Sequence, residues 1–204
     1  MHSHWNENQI HLRGRLTEVP RISHINHDTT YCLLPLAVRR LSGAEDRLHV
    51  VAARPLLEGL TLEPGAPLGV RGEVRTFNNR SGVGSKLVVS VFAKALSQAE
   101  GAEDENRLEL AGTLCKPPAL RSTPLGRTIC DMILAVNRRY GRADYLPCIA
   151  WGSLAHRCGA MAVGDPLHLA GRLQSRDYTK EIDGQLQART AFEVSIMSLL
   201  PPGP

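Results

Sequence analysis

Residues 145–173 read YLPCIAWGSLAHRCGAMAVGDPLHLAGRL. The opening alternates, with Leu146, Cys148 and Ala150 on one side and Tyr145 and Trp151 on the other. That period-two pattern predicts a strand with one face in a core. The end alternates in the same way. Leu167, Leu169, Gly171 and Leu173 form the inward set, and His168, Arg172, Gln174, Arg176 and Tyr178 continue the outward one. Between the two lies GSLAHRCGAMAVGD, short, rich in small residues and ended by Gly, which predicts one small helix.

Upstream, alternation recurs over 107–114 and 129–136, and a further strand-type segment covers 190–199. Five strands with a short helix between the third and fourth predict an all-β OB-fold barrel, although other small barrels share much of this pattern. The segment is also the second of two copies. NQIHLRGRL at 8–16 aligns with NRLELAGTL at 106–114 at an offset of 98. The same offset pairs Pro20 with Pro118, Leu36-Ala37-Val38 with Leu134-Ala135-Val136, and Leu48 with Leu146. One inserted residue later, Gly65, Pro67 and Gly72 match Gly164, Pro166 and Gly171. A repeat this long is a domain and not a solenoid unit, so two tandem barrels are expected.

Charge follows the repeat. Residues 1–96 carry 12 Lys and Arg against 8 Asp and Glu, and residues 106–204 carry the same numbers. Residues 97–105 hold four acids and no base. The expected organisation is a first barrel at 1–96, an acidic linker at 97–105, a second barrel at 106–200 and a short tail at 201–204. No run approaches the roughly 20 apolar residues of a membrane span, and the N-terminus has no signal-peptide pattern. A cytoplasmic, nucleoid-associated protein without membrane contact is expected. Five Cys lack metal-like spacing and read as free, mostly buried thiols.

N-x-x-x-L-x-G-x-L, LAVNR, YLPCIAWGSLA, GDPLHLAGRLQSRDY and TAFEVSIMSL occur in order within 106–199. Together they resemble the bacterial single-stranded DNA-binding proteins. NQIHLRGRL, LAVRR and GAPLGVRGEV extend a weaker resemblance into the first copy. The resemblance implies single-stranded DNA as partner and a homodimer presenting four barrels. It also implies roles in replication, recombination or repair, with proteins of those pathways as further partners. The chain closes on SLLPPGP, not on the family's usual Gly-rich spacer and acidic tip, so partner recruitment through such a tip is not expected.

Positions that match the family's stacking aromatics are Tyr140, Tyr145, Trp151 and Tyr178. Their strand parity agrees, because Tyr145 and Trp151 share an outward face, as do Arg172, Arg176 and Tyr178. Single-strand binding needs exposed π-faces, on which any base stacks, and cations that follow the phosphates. Arg138, Arg139, Arg142, Arg172, Arg176 and Lys180 are the candidate phosphate contacts of the second copy. In the first copy the matching positions are Ser42, Arg47, Ala53 and about Asn79. Phe77, with Arg71 and Arg75 at the same parity, is its replacement platform, and that copy reads as mainly structural.

No HExxH, P-loop or nucleophile elbow is present, so no catalytic residue, cofactor or metal is assigned. His24, His27, Asp28 and Cys32 read as a polar loop before they read as a metal site. Two other readings stay open. One is a primosome-type accessory OB protein; the other is an interaction module whose aromatics form a subunit interface.

Overall fold

A computed structural model describes residues 7–79, 86–138, 141–182 and 184–201. The chain forms two compact units, one of Gln9–Arg107 with Gln174–Ala191 and the other of Met1–Asn8, Leu108–Leu173 and Phe192–Pro204.

The first copy contains β1 (Asn8–Leu16), β2 (Arg21–Asn26), β3 (Thr29–Arg39), β4 (Glu45–Ala53), β5 (Pro67–Asn78) and β6 (Leu87–Gln98). The second contains β7 (Glu105–Leu114), β8 (Ala119–Ser122), β9 (Thr128–Asn137), β10 (Ala143–Trp151), α1 (Gly152–Gly159), β11 (Pro166–Ile182) and β12 (Gln185–Leu199). In the first copy the strand order is β2-β3-β4-β6-β5-β1, closed by β3 against β1. The second repeats it as β8-β9-β10-β12-β11-β7, closed by β9 against β7. In each, the third main strand pairs in parallel with the last, Val50 with Val91 and Cys148 with Val194. Antiparallel neighbours, one parallel pair and closure of the first strand onto two others make each copy an OB barrel.

The offset of 98 survives as strand register. Leu36 opposes Leu48 and Ala37 opposes Arg47, while Leu134 opposes Leu146 and Ala135 opposes Tyr145. Alternation builds the cores, with Leu34, Leu36, Leu48 and Val50 buried in one and Leu134, Leu146, Cys148 and Ala150 in the other. Gly14 and Gly112 mark the crossing where the first strand meets the second. A Cβ on Gly112 would lie 2.5 Å from the Ala135 carbonyl oxygen, and one on Gly14 would lie 2.2 Å from that of Ala37. Closure therefore needs glycine there.

Three features differ from the sequence reading. Each copy has an additional short strand before its second main strand, β2 and β8, with wholly exposed side chains and hence no core periodicity. The first copy carries only a four-residue 3₁₀ turn, Arg54–Leu57, where the second has α1. Finally, β11 runs for 17 residues and β12 for 15, forming a long hairpin whose outer part, Gln174–Ala191, belongs to the unit built on Gln9–Arg107. The His24–Cys32 segment is a hairpin in which His27 and Asp28 both have positive φ, 44° and 60°, and His24 stacks on Tyr31 at 4.8 Å. Its polar residues build a tight turn.

Candidate nucleic-acid interface

In the unit containing Leu108–Leu173, β10 presents Tyr145 and Trp151 on its outer face. They are 52% and 39% exposed, whereas Leu146, Cys148 and Ala150 behind them are buried. Six residues of strand place the two rings about 20 Å apart. A half-buried Pro147 and a buried Ile149 lie between them, and Ile129 and Ala135 of β9 sit beside the two aromatics in register. Trp151 is extended (φ −124°, ψ 146°), and Gly152 then turns the chain into α1 at φ 57°. That turn ends the strand while the indole still faces outward; glycine allows it at no steric cost.

Among the expected cations of this unit, Arg142 is exposed and Arg172 half-buried. Arg138 differs from expectation. Its guanidinium grips both oxygens of Asp144, Nε at 2.5 Å, and Asp144 has no solvent exposure. The side chain closes the β9–β10 hairpin and is not presented as a phosphate contact. The first copy repeats this bond as Arg40 on Asp46, with Nε at 2.8 Å and Nη2 at 2.5 Å. Tyr140 and Arg139 lie outside the described residues.

Tyr178, Arg176 and Lys180 fall in the other unit, as do Phe77, Arg71 and Arg75. Arg176 is exposed, and its Cζ lies 5.7 Å from the centre of the Tyr178 ring, the spacing of a cation–π contact. Gln174, expected on the open face, is buried at the root of the hairpin's outer part. Phe77 is 55% exposed on β5. Arg75, on its face, is bonded to Glu73, which Lys94 also approaches at 3.7 Å. The basic track expected from Arg71 and Arg75 is thus interrupted by an acid of the same parity.

Two exposed aromatic rings spaced along one strand can stack bases of any identity. Comparison with known proteins agrees. The family model described as "Single-strand binding protein family" matches residues 105–200.

The second copy is thus similar to the Single-strand binding protein family.

A Bacillus subtilis (strain 168) relative, Single-stranded DNA-binding protein A, is 33% identical over 104 residues. That match covers 48% of this chain and only 60% of the relative's length. The Thermus aquaticus single-stranded DNA-binding protein is 28% identical over 216 residues, covering 91% of this chain and 81% of that one. Its wild-type crystal structure superposes with a TM-score of 0.76 and 27% identity, covering 98% of this chain and 94% of that chain. No helix among the described residues is long and apolar enough to cross a membrane.

The unit containing Leu108–Leu173 also holds a cluster that strand parity did not suggest. His168 Nδ1 lies 2.9 Å from the Pro201 carbonyl oxygen, and Nε2 lies 2.8 Å from Glu109 Oε1 and 3.0 Å from Glu7 Oε2. The Glu7 carbonyl accepts the Ala111 N–H at 2.8 Å. These residues are far apart in sequence, so only the fold assembles them. Burial lowers the His168 pKa, but the bonds to the Pro201 carbonyl and Glu109, with the charges of Glu109 and Glu7, outweigh it and leave the imidazole above 6.5. Glu7 is also raised from 4.5, first by its hydrogen bond to Glu109, then by burial and the Glu109 charge.

Both groups hold protons more tightly when folded, so unfolding free energy falls with rising pH. The His168 contribution is complete below its ordinary 6.5 and disappears as pH rises through the higher folded value. Glu7 adds an earlier decline that starts above 4.5. In thermal melts from about pH 5.5 to 8.5, the wild type should therefore lose more stability, or gain less, with rising pH than His168→Gln, because burial lowers His49 and gives an opposite slope common to both proteins. Equal slopes would remove His168 as the cause.

The cysteines carry no comparable chemistry. Burial pushes the Cys148 thiol far up and that of Cys158 to about 11, so both stay protonated near neutrality. Four of the five are buried, and all are free.

Proposed function

We propose that this protein binds single-stranded DNA without strong sequence preference, stacking bases on Trp151 and Tyr145. The observation that carries the reading is their shared exposed face on β10. Register places Arg47 and Ala53 at the matching points of the first copy, and that barrel closes without either aromatic. The two rings are therefore not a requirement of the barrel. Arg142 and Arg172 supply phosphate contacts in the same unit, and Arg176, Tyr178 and Lys180 form a second contact zone. Tyr140 and Arg139 join the proposal on the strength of the sequence.

In this reading the first copy, residues 1–96, is mainly support, and the second, residues 106–200, carries the main binding surface. Phe77 and Arg71 are its secondary contacts. A homodimer presenting four barrels, acting in the cytoplasm during replication, recombination or repair, completes the proposal. No catalytic step is assigned.

Titrating the Trp5→Phe protein with poly-thymidine tests the central claim. Trp151 fluorescence should be quenched, and affinity should fall steadily as salt rises. Unchanged fluorescence, together with no retention on a single-strand column at low salt, would instead make the exposed aromatics a protein-contact surface.

A further inference from the structure

We infer that Ser175 and the buried Asp46 carboxylate form an anchor that positions Arg176 and Tyr178 for the strand; the functional part of this inference rests on the proposed single-strand binding. The outer part of the β11–β12 hairpin, Gln174–Ala191, is a two-stranded ribbon. Such a ribbon is marginally stable by itself in water. Across it, Thr190 Oγ1 donates to Asp177 Oδ1 at 2.6 Å.

Its root is held from outside the ribbon. The Ser175 N–H donates to Asp46 Oδ1 at 2.8 Å, Ser175 Oγ accepts the Arg47 N–H at 2.9 Å, and Arg40 Nη2 approaches the Ser175 carbonyl oxygen at 3.5 Å. Asp46 has no solvent exposure and takes Arg40 on its two oxygens as well. One buried carboxylate thus links the closing pair of the β3–β4 hairpin to the backbone of β11. The charged acceptor makes the Ser175–Asp46 bond stronger than a neutral one and its part-buried setting reduces screening by water and salt, while the Arg47–Ser175 Oγ bond lies at the exposed edge.

Strand parity gives the anchor its consequence. Ser175 points to the held face, so Arg176, Tyr178 and Lys180 point to the other. Arg176 and Lys180 are exposed there, and the cation–π contact of Arg176 with Tyr178 lies one to three residues beyond the anchor. The first copy's loss of aromatics is then consistent with its task, because its β3–β4 hairpin serves as a mount. Ser175 is a positioning residue that acts through Arg176 and Tyr178.

Ser175→Val in the full-length protein removes the acceptor for the Arg47 N–H and wedges a branched side chain into the root. Ser175→Ala removes the acceptor alone. Hydrogen exchange should accelerate about tenfold in Ser175→Val across the described ribbon amides, with β9 and β10 unaffected. Poly-thymidine affinity should fall about tenfold, the scale of one lost stacked base. Ser175→Ala should show the same pattern more weakly. When Arg176→Ala and Tyr178→Ala are already present, Ser175→Val should cost nothing further. The inference is overturned if ribbon exchange is unchanged in both variants, or if the affinity loss persists undiminished without Arg176 and Tyr178. Should the wild type bind no poly-thymidine, the proposed function fails, and the exchange data alone then decide for or against the anchor.

Discussion

Replacing Trp151 and Tyr145 together with alanine should weaken poly-thymidine binding at least roughly 30-fold, from the loss of about 1–3 kcal/mol for each stacked base. The fold should survive, because both rings stand on the outer face of β10 while Leu146, Cys148 and Ala150 maintain the core behind them. Phe77→Ala provides the comparison. Its ring is as exposed as that of Tyr145, yet Glu73 binds the neighbouring Arg75 and offsets positive charge on that face. Its loss should change affinity within about threefold, less than one full stacked base is worth. Isothermal titration or fluorescence anisotropy at a fixed salt concentration measures both. Equal losses from the two variants would show that the barrels share the strand and would sink the division of labour proposed for them.

The second large effect is expected on stability. Arg138→Ala removes the guanidinium bonded to both oxygens of the Asp144 carboxylate, which has no exposure to water. Removing one partner of a buried pair costs about 3–5 kcal/mol. Since the Arg138 side chain retains 24% exposure, the low end, about 3 kcal/mol, is expected. In a chain of this size that lowers Tm by about 6–12 °C. A phosphate contact would behave differently. Its removal would leave Tm nearly unchanged and reduce the salt slope of binding by about one. Melting and salt titration of one variant therefore separate the two roles. A Tm shift of under 2 °C, roughly, with a shallower salt slope would restore Arg138 to the binding surface.

That contrast shows where sequence reading ran short. Arg138 lies in a short basic run beside Tyr140, and local composition favoured a phosphate role. The corrective signal was present in the repeat. Arg40 and Asp46 recur as Arg138 and Asp144 at the offset of 98, and an acid–base pair kept six residues apart across a hairpin marks a closing bond. Arg75 is likewise bonded to Glu73, an acid of the same parity two residues away. Gln174 was assigned to an open face by alternation that is correct for a free strand. It is buried because the outer hairpin packs within the unit formed with Gln9–Arg107, a placement that no local pattern encodes. The additional strands β2 and β8 were missed because their side chains are exposed, leaving no buried set to alternate.

By itself the sequence determined the two tandem barrels, the strands that build their cores and the outward placement of Tyr145 and Trp151. Alternation at period two is imposed by the strand backbone, so apolar spacing reports directly on which side faces the core. A repeat in the chain must reappear as a repeat in register, as Ala37–Arg47 and Ala135–Tyr145 do. Only the tertiary structure decided which charges remain available. Whether an arginine meets phosphate or a buried carboxylate depends on neighbours brought together by closure and hairpin packing, and electrostatics follows distance in space and not along the chain. The same reason hid the gathering of Glu7, Glu109 and His168 and the bond from Ser175 to Asp46, whose partners are scattered in sequence and adjacent in the fold.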